Sequence, residues 1–238
     1  MSAPGNAPCF DRSGPGPTPD FSPLAPLYRW MEWLSFGPFL HRARCAFLSD
    51  LTHTANALIL GDGDGRFTAA LLRANPLVQI DAVDASPAML QALRHRAGPN
   101  AGRVHCHAAD ARNFQPQSDE PYDLVVTHFF LDCLSTEEIR ELAATIRPNL
   151  APGAIWLLSE FAVPPTRYGR IFARPLVSLL YSAFGLLTGL RIRRLPDHPS
   201  ALIGSGFTLH SRRTFLGTLL IAEKWQMGNI TTVLKSLN

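Results

Sequence analysis

The sequence predicts an α/β protein: a doubly wound, mostly parallel seven-stranded sheet that ends in an antiparallel C-terminal hairpin. Three observations carry this. Short apolar runs alternate with helix-length stretches from Asn56 to Ala162. The first run ends in a glycine-rich turn, Gly61-Asp62-Gly63-Asp64-Gly65. The last two strand-like runs, Phe207 to Phe215 and Leu219 to Trp225, are joined around Gly217 closely enough for a hairpin.

Composition frames this reading. The chain has 238 residues, the size of one α/β domain with decorations. Hydrophobic residues make up 46% and charged residues 17%, which excludes a wholly disordered chain and a coiled coil. The net charge of +3 is far from the balance of a chain that lives on nucleic acid, and no nucleic-acid partner is expected. Cys9, Cys45, Cys106 and Cys133 are scattered without a CxxC pair, so a reducing, cytoplasmic setting is expected.

The elements follow in order. Residues 1–23 hold Pro4, Pro8, Pro15, Pro17, Pro19 and Pro23 among glycines and read as a disordered tail. No apolar segment follows a basic start, so no signal peptide is expected there. Residues 24–238 read as a single domain without an internal repeat. The stretch 24–51 is helical but broken at Gly37-Pro38, which suggests two short helices. Asn56 to Gly61 is a buried parallel strand. Phe67 to Ala74 is a helix stopped by Asn75-Pro76. Val78 to Val83 is the second strand, and Ser86 to Arg96 is a helix opened by an N-cap serine and a proline. Arg103 to Ala108 and Tyr122 to Thr127 are strands three and four. Thr136 to Leu150 is a helix with Glu137 and Glu138 in its first turn. Ala154 to Ala162 is strand five, Tyr168 to Leu190 a long helix, and Pro196 to Ser205 a short one. Ile171 to Leu190 is apolar but holds Arg174 and Pro175, and reads as a buried or interfacial helix rather than a membrane span.

The glycine turn is the chemical anchor. It follows a strand and opens a helix, and an acid, Asp84, ends the next strand 19 residues after Gly65. Such an acid is placed to accept hydrogen bonds from ribose hydroxyls. A dinucleotide fingerprint requires a third glycine where Arg66 or Thr68 stands. Asp62 and Asp64 at the helix start disfavour a pyrophosphate and suit a cationic ligand. S-adenosylmethionine, with an ammonium, a sulfonium and no phosphate, meets that requirement.

At this point the chain resembles a class I S-adenosylmethionine-dependent methyltransferase of the small-molecule type, over about residues 24 to 226. Leu58 to Gly65 (LILGDGDG), Val83 to Leu90 (VDASPAML), Ala108 to Phe114 (AADARNF), Tyr122 to Phe130 (YDLVVTHFF) and Asn149 to Phe161 (NLAPGAIWLLSEF) are similar to five family motifs in order. The resemblance implies a Rossmann-like methyltransferase fold. It implies cofactor contacts from Gly61, Asp62, Gly63, Gly65, Asp84, Ala85, Met89, Asp110, Ala111 and Thr127, with Asp84 on the ribose and Asp110 on the adenine amine. One departure is Ile59, where the family has an acid two residues before the first glycine; Asp62 would take over part of that role.

The acceptor side follows from the strand ends. His128 ends strand four and is the candidate base, or else a histidine that only shapes the pocket. Asp132 would bind the acceptor or cap the next helix. The resemblance makes 24–51 a pair of lid helices, with Tyr28 as a substrate contact, and makes 163–205 a helical acceptor wall with Tyr181; Phe130 completes the list. An apolar or aromatic small-molecule acceptor fits, with O, S, C or N as the methylated atom. Arg167, Arg170 and Arg174 precede the apolar helix and Arg191, Arg193 and Arg194 follow it. They read as solvating charge or as a basic rim for peripheral membrane contact through 167–194. His105 and His107 share a strand face that Cys106 opposes, so no metal site is expected. The alternative to an enzyme is a catalytically silent S-adenosylmethionine-binding subunit of another protein.

Overall fold

The structure is a computed structural model that describes residues 38–116, 118–162 and 196–228. Its seven strands lie in the order β3-β2-β1-β4-β5-β7-β6. They are β1 (Asn56–Leu60), β2 (Gln79–Asp84), β3 (Val104–Ala108), β4 (Tyr122–His128), β5 (Leu150–Phe161), β6 (Phe207–Phe215) and β7 (Leu220–Met227). The first five run parallel, and β7 pairs antiparallel with both β5 and β6. The doubly wound sheet and its terminal hairpin are therefore as the sequence predicts.

The helices cover both faces. They are α1 (Pro38–Arg44), α2 (Arg66–Ala74), α3 (Pro87–Ala97), α4 (Thr136–Ile146) and α5 (His198–Gly204). Alternation along β1 explains the two cores. Leu58 and Leu60 pack with Trp156, Trp225, Ile139 and Leu142 on one face. Ala57 and Ile59 pack with Phe67, Leu71, Leu93 and Phe47 on the other. A sheet covered on both faces needs strands that are apolar throughout, which is how β1 and β4 read.

The boundaries shift for identifiable reasons. Helix α4 stops at Ile146, and Arg147–Asn149 forms a 3-10 turn, because Pro148 cannot continue the helix. Strand β5 then begins at Leu150, four residues before the expected start, where Leu150 pairs with Tyr122. Pro38 opens α1, the second of the two helices expected over 24–51; it stops at Arg44, and Leu48–Leu51 forms a 3-10 turn. Ser86 caps α3 by accepting from Met89 N at 3.4 Å. The hairpin turns through Leu216, Gly217 and Thr218, all at positive φ.

The tail 1–23, the first half of the lid stretch with Tyr28, and residues 163–195 with Tyr181 and the whole basic rim lie outside the described residues. Among the described residues no helix is long and apolar enough to cross a membrane.

Candidate cofactor and acceptor site

Strand order reverses between β1 and β4, and ligands in such sheets bind beyond the strand carboxyl ends near that point. The order β3-β2-β1-β4 sets Asp110, Asp84, the glycine turn and His128 on the loops and ends of four neighbouring strands.

The three glycines serve two purposes. All have positive φ, +69, +58 and +78 for Gly61, Gly63 and Gly65. A Cβ on Gly61 would meet the Phe130 ring, and one on Gly65 would meet Leu93 Cγ at 2.6 Å and Cα at 2.8 Å. A Cβ on Gly63 meets nothing within 4 Å. Gly61 and Gly65 are thus packing glycines, and Gly63 borders open space where a ligand can approach the backbone.

The turn's acids are engaged differently from the sequence expectation. Asp62 folds back on α2, accepting from Thr68 N at 2.8 Å, Thr68 Oγ1 at 2.7 Å and Phe67 N at 3.4 Å. Its carboxyl is raised above the usual range, first by burial, against the lowering effect of these bonds and of the Arg44 charge. Asp64 pairs with Arg96 at 2.7 Å and Arg66 at 3.3 Å. The acidity that the sequence offers a cationic ligand is therefore largely directed inward.

Asp84 ends β2 and accepts from Ser86 N at 2.8 Å. Burial pushes its carboxyl up to about 6, with the nearby Asp62 charge adding to the rise and the main chain of Gly63 opposing it. Ala85 beside it is exposed and Met89 is buried. Asp110 accepts from Arg112 N at 3.0 Å, Nε at 2.9 Å and Nη2 at 2.5 Å. Burial would raise its carboxyl, but those bonds together hold it below the usual range. Each carboxylate oxygen has two lone pairs, so an adenine amine has an acceptor left. Ala111 is buried in the core face that carries Val83.

Thr127 is 0% exposed and its Oγ1 accepts from Trp156 Nε1 at 2.8 Å, so its side chain points into the core and only its main chain is left for a cofactor contact. Asp132 is corrected in its capping role. Ser135 caps α4, accepting from Glu138 N at 3.2 Å while Glu138 Oε2 accepts from Ser135 N at 2.7 Å. Asp132 lies buried next to Cys133, whose thiol is pushed well up, mainly by burial.

His128 is buried at the strand end where the sequence suggests a base or a pocket-shaping histidine. It is 5% exposed, edge-on to Phe67 with centroids 4.6 Å apart. Burial and then the Arg44 charge hold its ring well below the ordinary histidine value, so it is neutral and weakly basic. His107 is not a metal ligand in waiting; its Nε2 lies 2.7 Å from Asp81 Oδ1, and Tyr122 donates to the other oxygen at 2.7 Å. Among the described residues no group of three side chains is arranged to hold a metal.

Sequence reading missed three residues here: Arg44, Ser159 and Glu160. Arg44 is buried in the last turn of α1, over the Phe129 ring at 5.0 Å. Glu160 is 2% exposed and accepts from Leu131 N at 3.0 Å; burial first, then the Asp132 charge, raise its carboxyl well above the usual value. An acid within the apolar strand LLSEF was the available signal for Glu160.

Comparison with known proteins finds similarity to methyltransferases. Residues 58–156 match the model of a methyltransferase domain. The trans-aconitate 2-methyltransferase of Streptomyces coelicolor is 42% identical over 119 residues, covering 48% of this chain and 38% of that protein. The malonyl-[acyl-carrier protein] O-methyltransferase of Halorhodospira halophila is 39% identical over 99 residues, covering 41% of this chain and 33% of that protein. The chain thus spans well under half the length of these relatives. The crystal structure of the S-adenosylmethionine-dependent methyltransferase SibL in its apo form is 25% identical, with a TM-score of 0.59, covering 90% of this chain and 64% of that one. Residues 58–156 thus match a methyltransferase domain, and the 3-2-1-4-5-7-6 sheet around the glycine turn has the fold of the methyltransferase structures that the chain is similar to.

Proposed function

We propose that the protein transfers a methyl group from S-adenosylmethionine to a small-molecule acceptor. The observation that carries this is Gly63: among the three turn glycines it alone borders open space, and its main chain lies against the Asp84 carboxyl. A bare backbone beside an acid at a strand end fits an adenosine ligand. Asp84 would accept from the ribose hydroxyls and Asp110 from the adenine amine, with Ala85, Met89 and Ala111 bordering the nucleoside. When bound, the cofactor supplies a methyl group on a positively charged sulfur.

The chain's own part is binding, alignment and exclusion of water. Phe130 closes over Gly61, and Phe129 packs on Phe161 with centroids 5.3 Å apart. Phe129 itself is held at φ 55, a conformation that β-carbon residues rarely adopt. These rings make an apolar border at the end of β4, suited to a small acceptor. His128, neutral and weakly basic, positions rather than deprotonates. Two relatives are named for trans-aconitate and for malonyl-[acyl-carrier protein], both of which carry a carboxylate, which supports an acceptor with that group.

The test is labelled methyl transfer from S-adenosylmethionine onto a panel of carboxylic acids, phenols, quinols, thiols and amines. Turnover on one class, abolished by Gly63→Val, is expected. Binding of the cofactor with no transfer to any class would favour the silent-subunit alternative.

A further inference from the structure

We propose that Arg44, His128 and Ser159 form a carboxylate subsite at the carboxyl end of β4 and β5, and that the acid it holds is the methyl acceptor. This rests on the methyl-transfer reading above. His128 and Ser159 are register partners on adjacent parallel strands, so their side chains leave the sheet on the same face. They are 5% and 0% exposed. Neither ring nitrogen of His128 nor the Ser159 hydroxyl has a hydrogen-bond partner among the described residues. Buried polar atoms almost always have partners, so three such atoms on neighbouring residues mark a place shaped for a polar guest.

Arg44 supplies the charge. Its guanidinium is buried over the Phe129 ring, and its field reaches both His128 and Asp62. A guanidinium, an imidazole N–H and a hydroxyl are donors that suit an oxyanion, and all three side chains are buried. One guanidinium beside an imidazole and a hydroxyl balances a single negative charge, which matches a carboxylate.

Two molecules could bring such a group: the acceptor and the amino-acid end of the donor. Position favours the acceptor. The nucleoside residues Asp84 and Asp110 follow β2 and β3 on one side of the glycine turn, whereas His128 and Ser159 lie on β4 and β5 on the other. A carboxylate acceptor also needs no base, which agrees with the buried, weakly basic His128. In the transfer a carboxylate oxygen forms the bond to the methyl carbon as the carbon–sulfur bond breaks. The electron pair stays on sulfur, which becomes a neutral thioether; the other product is a methyl ester, and no proton is released.

The experiment combines calorimetry and turnover on the whole chain and on Arg44→Gln, Arg44→Lys and Ser159→Ala. The ligands are S-adenosylhomocysteine and 5′-methylthioadenosine, which lacks the amino-acid end. Turnover uses small mono- and dicarboxylic acids beside phenols. Wild type is expected to methylate an acid with a rate flat from pH 6 to 9. Arg44→Gln is expected to raise KM for that acid at least tenfold, Arg44→Lys to restore part of it, and Ser159→Ala to raise KM severalfold, with both nucleosides bound within twofold of wild type. A selective loss of S-adenosylhomocysteine, with 5′-methylthioadenosine unchanged, would assign the pocket to the donor and overturn the acceptor assignment. So would transfer to phenols or amines but to no acid. If wild type binds neither nucleoside, the methyl-transfer reading itself fails.

Discussion

Phe130 lies against Gly61 so closely that a Cβ on the glycine would stand 2.5 Å from the ring's Cδ2. The loop after β4 is thereby seated on the first turn after β1, across the point where strand order reverses. Gly61→Ala must displace that ring and place alanine at φ +69. A loss of about 1–3 kcal/mol in denaturant unfolding is expected. Adding Phe130→Ala should restore part of it, because the second change removes the clash.

Gly65 and Gly63 should separate stability from binding. Gly65→Ala would drive a methyl group to 2.8 Å from the Leu93 Cα, forcing α2 and α3 apart. We expect about 3 kcal/mol of lost stability. Gly63→Ala meets no atom, so its cost is the backbone strain of about 1 kcal/mol. Its effect should appear instead in nucleoside affinity, lowered at least about tenfold because the new methyl group occupies the ligand's approach.

Asp84 predicts a pH dependence with a definite sign. Its carboxyl rises from 3.8 unfolded to about 6 folded. The stability tied to its protonated form is present below about pH 4 and is lost as pH rises through 6. Asp84→Asn should therefore stabilise the ligand-free protein at pH 7 by about 1–3 kcal/mol, seen as a raised melting temperature. Ribose hydroxyls need the ionised form. Affinity for S-adenosylhomocysteine should be flat above pH 7 and fall below pH 6 with a slope approaching about tenfold per unit.

Asp62 should prove structural. Asp62→Ala removes the acceptor for the N–H groups of Phe67 and Thr68 and for the Thr68 hydroxyl. A loss of about 1–2 kcal/mol is expected in thermal unfolding. Asp62→Asn, which keeps one acceptor oxygen, should lose less.

The fold was legible because its signals are local. Apolar runs, Ser86-Pro87 and the glycine turn each specify one element without help from distant residues. The miss at Leu150 shows the limit: its strand pairing with Tyr122 is a long-range contact that local helix pattern does not register. The same holds in the site. Asp84 was legible because strand and turn fix its place. The direction of the Thr127 hydroxyl was not legible because strand four is apolar on both faces, so its sequence does not say which face that hydroxyl takes. Arg44 looked like an ordinary basic helix end; its burial arises from packing on Phe129, 85 positions further along the chain. His128 was found, but its basicity depends on burial and on Arg44, neither of which the strand itself encodes.

The most direct test of the central claim is calorimetric titration of the purified chain with S-adenosylhomocysteine and with NAD, repeated on Asp84→Ala. The account predicts binding of the first and not the second, with Asp84→Ala weakening it by about 2–3 kcal/mol, about 30- to 150-fold. Unchanged affinity in Asp84→Ala, or NAD bound as tightly as S-adenosylhomocysteine, would contradict it.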